Sequence, residues 1–185
     1  MRIITGRARG RRLKMPKGEV RPSTDRLREA LFSILGNQVE DAQVLDLFAG
    51  TGSLGLESLS RGAESADFVE RDRRTARTLS ENIALCQLGG EVILGDAVDY
   101  VRRTSKRYDL ILADPPYYKR AGDIDFARQL LAKGAVGNCL TKDGLFVLEV
   151  EKNAPLPEAD ELVLSDDRCY GISRLLFYVR PSQDA

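Results

Sequence analysis

A doubly wound α/β fold, with a mostly parallel sheet covered by helices on both faces, is predicted by three features of this 185-residue sequence. Short apolar runs alternate with helical patterns from Gln43 onward. A glycine-rich turn follows the first run, and Asp114-Pro115-Pro116-Tyr117 follows the fourth. Parallel strands need crossovers, and helices at this spacing supply them in the right-handed sense. The expected sheet is Rossmann-like and seven-stranded, with an antiparallel C-terminal strand pair, and it is preceded by a basic N-terminal β-hairpin and a helix.

Residues 2–5 and 11–15 read as short strands around the glycine-bracketed turn Gly6-Arg7-Ala8-Arg9-Gly10, and the prolines of residues 16–22 as a linker. Residues 1–22 are thus expected to be a hairpin appended to a main domain over residues 23–185. Ser23 or Thr24 can cap a helix whose apolar residues Leu27, Ala30, Leu31, Ile34 and Leu35 share one face, and Gly36-Asn37 ends it. Arg26 and Arg28 are read as lying off that stripe, facing ligand or water. Strands are then expected at residues 44–48, 66–70, 91–94, 108–113 and 145–150. Helices are expected at 54–61, 72–86 (Ala76, Leu79, Ile83 and Ala84 inward), 97–104 and 126–136. Two prolines within residues 153–159 exclude a long crossover helix, so residues 161–164 and 173–179 read as an antiparallel pair around Gly171.

Composition excludes several chemistries. The chain has no histidine, which removes His-based triads, His general bases and His-containing metal sites. Cys86, Cys139 and Cys169 are far apart and form no C-x-x-C pair, so neither zinc nor a disulfide framework is indicated, and no metal is expected. No apolar run approaches the length of a membrane span and no secretory signal is present, so a cytoplasmic protein is expected. Net charge is zero but unevenly spread: residues 1–35 carry +7, and the first 18 hold seven bases and no acid. That asymmetry, mostly arginine, points to a polyanion partner, with a solvated basic edge as the alternative.

Four acids or acid-bearing turns fall at the carboxyl ends of the expected strands, where open α/β sheets bind ligands. They are Asp46 with the turn through Gly52, then Glu70, Asp96 and Asp114. Gly50-Thr51-Gly52-Ser53-Leu54-Gly55 matches G-x-G-x-x-G, with Glu70 20 residues after Gly50. Both a nicotinamide dinucleotide and S-adenosyl-L-methionine need such a turn and a ribose-binding acid. Asp46 favours the second, since it suits a cationic amino-acid moiety and would repel a pyrophosphate. Asp96 suits an adenine amine, although it also reads as a helix N-cap. No second substrate domain is evident. Downstream, an acidic acceptor, carbonyls held open by proline and a stacking ring in Asp114-Pro115-Pro116-Tyr117 suit a flat, nitrogen-bearing ring.

Residues 44–57 together with Asp114-Pro115-Pro116-Tyr117 resemble the class I S-adenosylmethionine-dependent amino-methyltransferases. More narrowly, Arg2-Ile3-Ile4-x-Gly6, Gly10-Arg11-Arg12-Leu13, residues 21–32 and Tyr170-Gly171-Ile172-Ser173-Arg174-Leu175 resemble the bacterial 16S rRNA guanine-N2 methyltransferases acting on guanine 966. Ser23 and Ser173 stand where threonine is the commoner residue, and both keep the hydroxyl. The resemblance implies catalysis at Asp114, Pro115, Pro116 and Tyr117. It implies cofactor contacts from Asp46, Phe48, Ala49, Gly50, Thr51, Gly52, Leu54, Glu70, Arg71, Asp96 and Ala97. RNA contacts are expected from Arg7, Arg9, Arg11, Arg12, Arg21, Thr24, Arg26, Arg28 and Tyr118, with Arg21–Thr24 open to a cofactor role instead. The implied partner is 16S rRNA, the small ribosomal subunit or its assembly intermediate, met by a monomer. A DNA adenine-N6 methyltransferase and a non-catalytic RNA-binding module are the alternatives.

Overall fold

The computed structural model describes residues 1–16, 24–117 and 123–181. Seven strands form one sheet in the order β3-β2-β1-β4-β5-β7-β6. They are β1 (Gln43–Leu47), β2 (Ser65–Glu70), β3 (Glu91–Leu94), β4 (Tyr108–Ala113), β5 (Leu140–Glu151), β6 (Val163–Tyr170) and β7 (Ser173–Val179). β1 to β5 are parallel, and β7 runs antiparallel between β5 and β6. From β1 the chain moves outward to β2 and β3, then returns to place β4 on β1's other side. The crevice beyond the carboxyl ends of β1 and β4 is therefore the topological switch point.

Apolar runs make the central strands. Val44, Leu45, Leu47, Leu110, Ile111, Leu112 and Ala113 are all buried, as a strand covered on both faces requires. One core layer packs α1 (Asp25–Leu35), α2 (Ser53–Ser60) and α3 (Arg73–Cys86) on the sheet; the other packs α4 (Ala97–Arg103) and α5 (Phe126–Leu131). No helix among the described residues is long and apolar enough to cross a membrane.

Thr24 caps α1, its Oγ1 accepting the Leu27 N–H at 3.2 Å, and Gly36 ends it at φ 51°. Arg28 corrects the sequence reading. At about 100° per residue it falls between Leu35 and Phe32, in the middle of the buried face. It is fully buried, donating to the Arg2 carbonyl (2.7 Å) and Asp25 Oδ1 (2.8 Å), with Glu57 Oε2 3.9 Å away. It therefore offers nothing to RNA.

The expected N-terminal strands reduce to one antiparallel bridge, Arg2 with Arg12, and the segment is built into the fold rather than appended to it. Ile3, Ala8 and Leu13 join the same core layer as α1 and α2. The buried Glu57 carboxylate accepts the Ile4 N–H at 2.7 Å, the Thr5 N–H at 3.0 Å and Arg61 Nε at 2.8 Å. Gly6 (φ 84°) lies so close to α2 that a Cβ there would sit 1.8 Å from the Ser60 carbonyl oxygen.

Other elements shift for local reasons. Ala84 is exposed, while Asn82 and Cys86 complete the inner face of α3. α5 stops at Leu131 because Lys133 and Gly134 take positive φ, so the expected helix to residue 136 breaks into short 3₁₀ turns. β5 begins at Leu140, ahead of the expected residue 145, with a register shift between Tyr108 and Leu110 on β4. The polar stretch Ser165–Cys169 (residues 165–169), read as a connector, is the body of edge strand β6, whose half-exposed pattern tolerates it.

Candidate active site

At the switch point lies a cavity of about 1000 Å³ lined by the ends of β1, β2, β4 and β5, the turns after β1 and β3, and the β6–β7 turn. Phe48 opens the glycine turn at φ 60°, a strained conformation for an aromatic residue, and its ring packs edge-on against Phe126 at 5.0 Å. The turn is held from several sides. Ala49 N–H donates to the Val69 carbonyl (3.0 Å), and Asn82, fully buried, donates to the Thr51 carbonyl (3.0 Å). Glu70 accepts the Gly50 N–H at 3.0 Å through one carboxylate oxygen and the Asp72 N–H at 2.8 Å through the other. Gly52 caps α2 at φ 80° outside the cavity lining, and a Cβ there would meet Leu79 at 2.3 Å.

Asp46 sits on the cavity wall inside β1, 1% exposed, with Oδ2 accepting the Gly55 N–H at 2.8 Å. Burial, partly offset by that hydrogen bond and reinforced by the charges of Asp114 and Glu70, holds its carboxyl well above the usual range. An acid whose pKa is higher folded than unfolded loses stability as pH rises from its unfolded pKa toward the folded one. Asp46→Asn is therefore expected to raise Tm at neutral pH by about 2–4 °C, the shift that roughly 1 kcal/mol makes in a chain of this size. The gain should vanish in a thermal scan below about pH 4, where the unfolded-state carboxyl is also protonated. A variant no more stable than wild type at pH 7 would contradict this.

Asp96 caps α4, Oδ1 accepting from Val98 (2.9 Å) and Asp99 (3.1 Å), so Oδ2 is left to the cavity it lines. Asp114 is half-buried at the end of β4, Pro115 is buried and Pro116 exposed. The Tyr117 hydroxyl lies 2.9 Å from Glu149 Oε1 and 3.0 Å from Ser173 Oγ. Burial, partly offset by the Ser173 hydroxyl and reinforced by the Glu149 charge, pushes the phenol up, so Tyr117 stays protonated and donates to Glu149.

The cavity thus gathers Asp46, Phe48, Ala49, Gly50, Thr51, Leu54, Glu70, Arg71, Asp96, Ala97 and the whole Asp114–Tyr117 turn, together with Thr24 and Arg26. Arg7, Arg9, Arg11 and Arg12 lie on the N-terminal segment, outside the lining. Arg7 donates to the Leu59 carbonyl at 3.0 Å, and Arg11 to the Leu85 carbonyl and to Gln87. Arg9 and Arg12 are exposed and make no ion pair among the described residues. Arg21 and Tyr118 lie outside the described residues. Glu149 and Phe126 line the cavity without having been expected there, and residues 170–173, singled out in the sequence only for their resemblance, line it as well. Glu149 left a signal as the one charge within the apolar run of residues 145–150.

Residues 1–179 match the family model described as Conserved hypothetical protein 95. The chain belongs to this family. It is 37% identical to the Escherichia coli protein named ribosomal RNA small subunit methyltransferase D, over 85% of this chain and 78% of that one. A solved E. coli methyltransferase, yhhF, superposes with TM-score 0.84 at 34% identity, covering 99% of both chains. The T. thermophilus 16S rRNA N2 G1207 methyltransferase, solved with AdoMet and guanosine, gives TM-score 0.69 at 25% identity over 89% of this chain and 44% of that one. The Rossmann-like methyltransferase architecture of these solved structures is the fold described above.

Proposed function

We propose that this protein methylates the exocyclic N2 amine of a guanine in small-subunit ribosomal RNA, at the position numbered 966, using S-adenosyl-L-methionine. The observation that carries this reading is the opening of the Asp114–Tyr117 turn and the glycine turn onto one cavity. The relative's name supports rRNA as the substrate, and the guanosine and AdoMet held by the T. thermophilus neighbour support the base and the donor.

The residues present fit the donor. Asp46, buried without a cation partner among the described residues, would take the ammonium; Glu70 at the rim, the ribose hydroxyls; and Asp96 Oδ2, the adenine amine. S-adenosylmethionine supplies a methyl group already activated on a sulfonium, so the protein's task is chiefly positioning. The N2 lone pair of guanine is delocalised into the ring. The Asp114 carboxylate and the Pro115 carbonyl accept the two amine hydrogens, favouring a pyramidal nitrogen whose lone pair is free to attack. As the N–C bond forms and the methyl–sulfur bond breaks to leave a neutral thioether, the nitrogen would shed one proton, which Asp114 is placed to take. Tyr117, tethered through its hydroxyl, stacks on a base already unstacked from the RNA.

Arg9 and Arg12, with Arg26 at the cavity, grip phosphates. The double reversal Arg9→Glu, Arg12→Glu is expected to weaken rRNA binding and cut the slope of log K against log salt by roughly 2, as measured by filter binding over a salt series. An unchanged slope would remove the N-terminal segment from the interface. The reading as a whole is tested with radiolabelled S-adenosylmethionine offered to unmodified small subunits, naked 16S rRNA and duplex DNA. Label in ribosomal RNA is expected, whereas label confined to DNA would mean the adenine-N6 enzyme.

A further inference from the structure

We propose that Glu149 reads the target base itself, accepting the N1–H of guanine beside the exocyclic amine held at Asp114, and so selects guanine over adenine. The inference rests on the reading of guanine N2 as the methylated atom.

Glu149 is only 7% exposed, within an otherwise apolar strand, and makes no ion pair among the described residues. A buried carboxylate without a cation is costly, and packing alone would favour leucine there. Its neighbours use only part of its acceptor capacity. Tyr117 donates to Oε1, Ser173 donates to the Tyr117 oxygen, and no described residue donates to Oε2. The side chain lines the cavity.

Its place in the sheet supplies the rest. Ala113 pairs with Leu148 in the parallel ladder of β4 and β5, so Asp114 and Glu149 follow as the next residues on adjacent strands. Neighbouring strands lie about 4.8 Å apart, so two acceptor groups end side by side on the cavity wall. A carboxylate accepts and never donates when ionised. Guanine presents two adjacent donors, N1–H and the 2-amine. In adenine the amine is flanked by the N1 lone pair, which a carboxylate repels. Tyr117 and Ser173 act here as positioning residues, fixing the carboxylate by its other oxygen.

The test uses Glu149→Gln, which keeps the shape and the Tyr117 hydrogen bond but can turn an amide N–H toward the base. With unmodified small subunits, kcat/KM is expected to fall at least about 100-fold, while S-adenosylmethionine affinity by calorimetry stays within about twofold. The second arm uses subunits reconstituted with 2-aminopurine at the position the wild type methylates. This analogue keeps the amine, but its N1 is an acceptor. Wild type should prefer guanine, and Glu149→Gln should prefer 2-aminopurine; a purely structural role for Glu149 would lower both rates without reversing the order. Wild-type kcat/KM in the variant, or equal loss on both bases, would overturn the inference. Wild-type enzyme that binds the cofactor yet labels no guanine would overturn the underlying reading, and this one with it.

Discussion

Asp114→Ala should lower kcat by about 10²–10⁴-fold, the range that a lost proton acceptor or a lost electrostatic contact to the reacting group produces. S-adenosylmethionine should still bind, because the glycine turn and its braces at Glu70 and Asn82 lie on other elements. Single-turnover rates with cofactor and subunits saturating separate chemistry from binding. Asp114→Asn divides the role further. Its amide oxygen can accept one amine hydrogen but cannot take the proton, so its rate should fall between those of alanine and wild type. An alanine variant with wild-type turnover and bound cofactor would remove the Asp-Pro-Pro-Tyr turn from the chemistry.

Glu57→Ala is expected to be the most damaging substitution for stability, costing about 3–5 kcal/mol because it breaks a buried ion-pair and hydrogen-bond network. Glu57 and Arg28 are both fully buried. The Glu57 carboxylate also satisfies two backbone N–H groups of the N-terminal segment and Arg61, whose guanidinium lies 4.7 Å from the Phe32 ring centroid. Removing it leaves Arg28 with only the half-exposed Asp25 carboxylate as an ion-pair partner and Ile4 and Thr5 without acceptors. Tm should fall by roughly 10 °C, and urea unfolding should confirm the loss of free energy. The paired change Glu57→Leu, Arg28→Met should cost less than Glu57→Ala, because no charge is left behind. If Glu57→Ala melts with wild type, the network carries no stability.

These two residues also show what the sequence discloses. Asp114 is legible because its neighbours are unusual: two prolines and an aromatic residue after an apolar run have little use in a plain turn. The strands at residues 91–94 and 108–113 are legible for a related reason, being short apolar runs bounded by turn residues. Arg28 is hidden by residue type. An arginine within a helical face reads as exposed until its angle between Leu35 and Phe32 is worked out, and its partner Glu57 is 29 residues away on another helix. The N-terminal segment reads as a free hairpin because the carboxylate and hydroxyl that hold it, from Glu57 and Ser60, belong to α2. Glu149 joins the cavity because β5 pairs in parallel beside β4, and Ser173 because β7 inserts antiparallel beside β5. Long-range pairing of that kind leaves no local pattern. The acids at the carboxyl ends of the parallel strands were readable because that rim is where such sheets bind ligands, whereas Glu149 inside an apolar strand was not.

The most direct test of the proposed chemistry is the identity of the methylated nucleoside. Small subunits lacking the modification are incubated with the protein and S-adenosylmethionine, the RNA is digested to nucleosides, and the products are separated and weighed by mass spectrometry. N2-methylguanosine, appearing with wild type and absent with Asp114→Ala, is the expected result. Methylation on adenine N6, or on guanine at a ring nitrogen, would contradict a site built to present an exocyclic guanine amine.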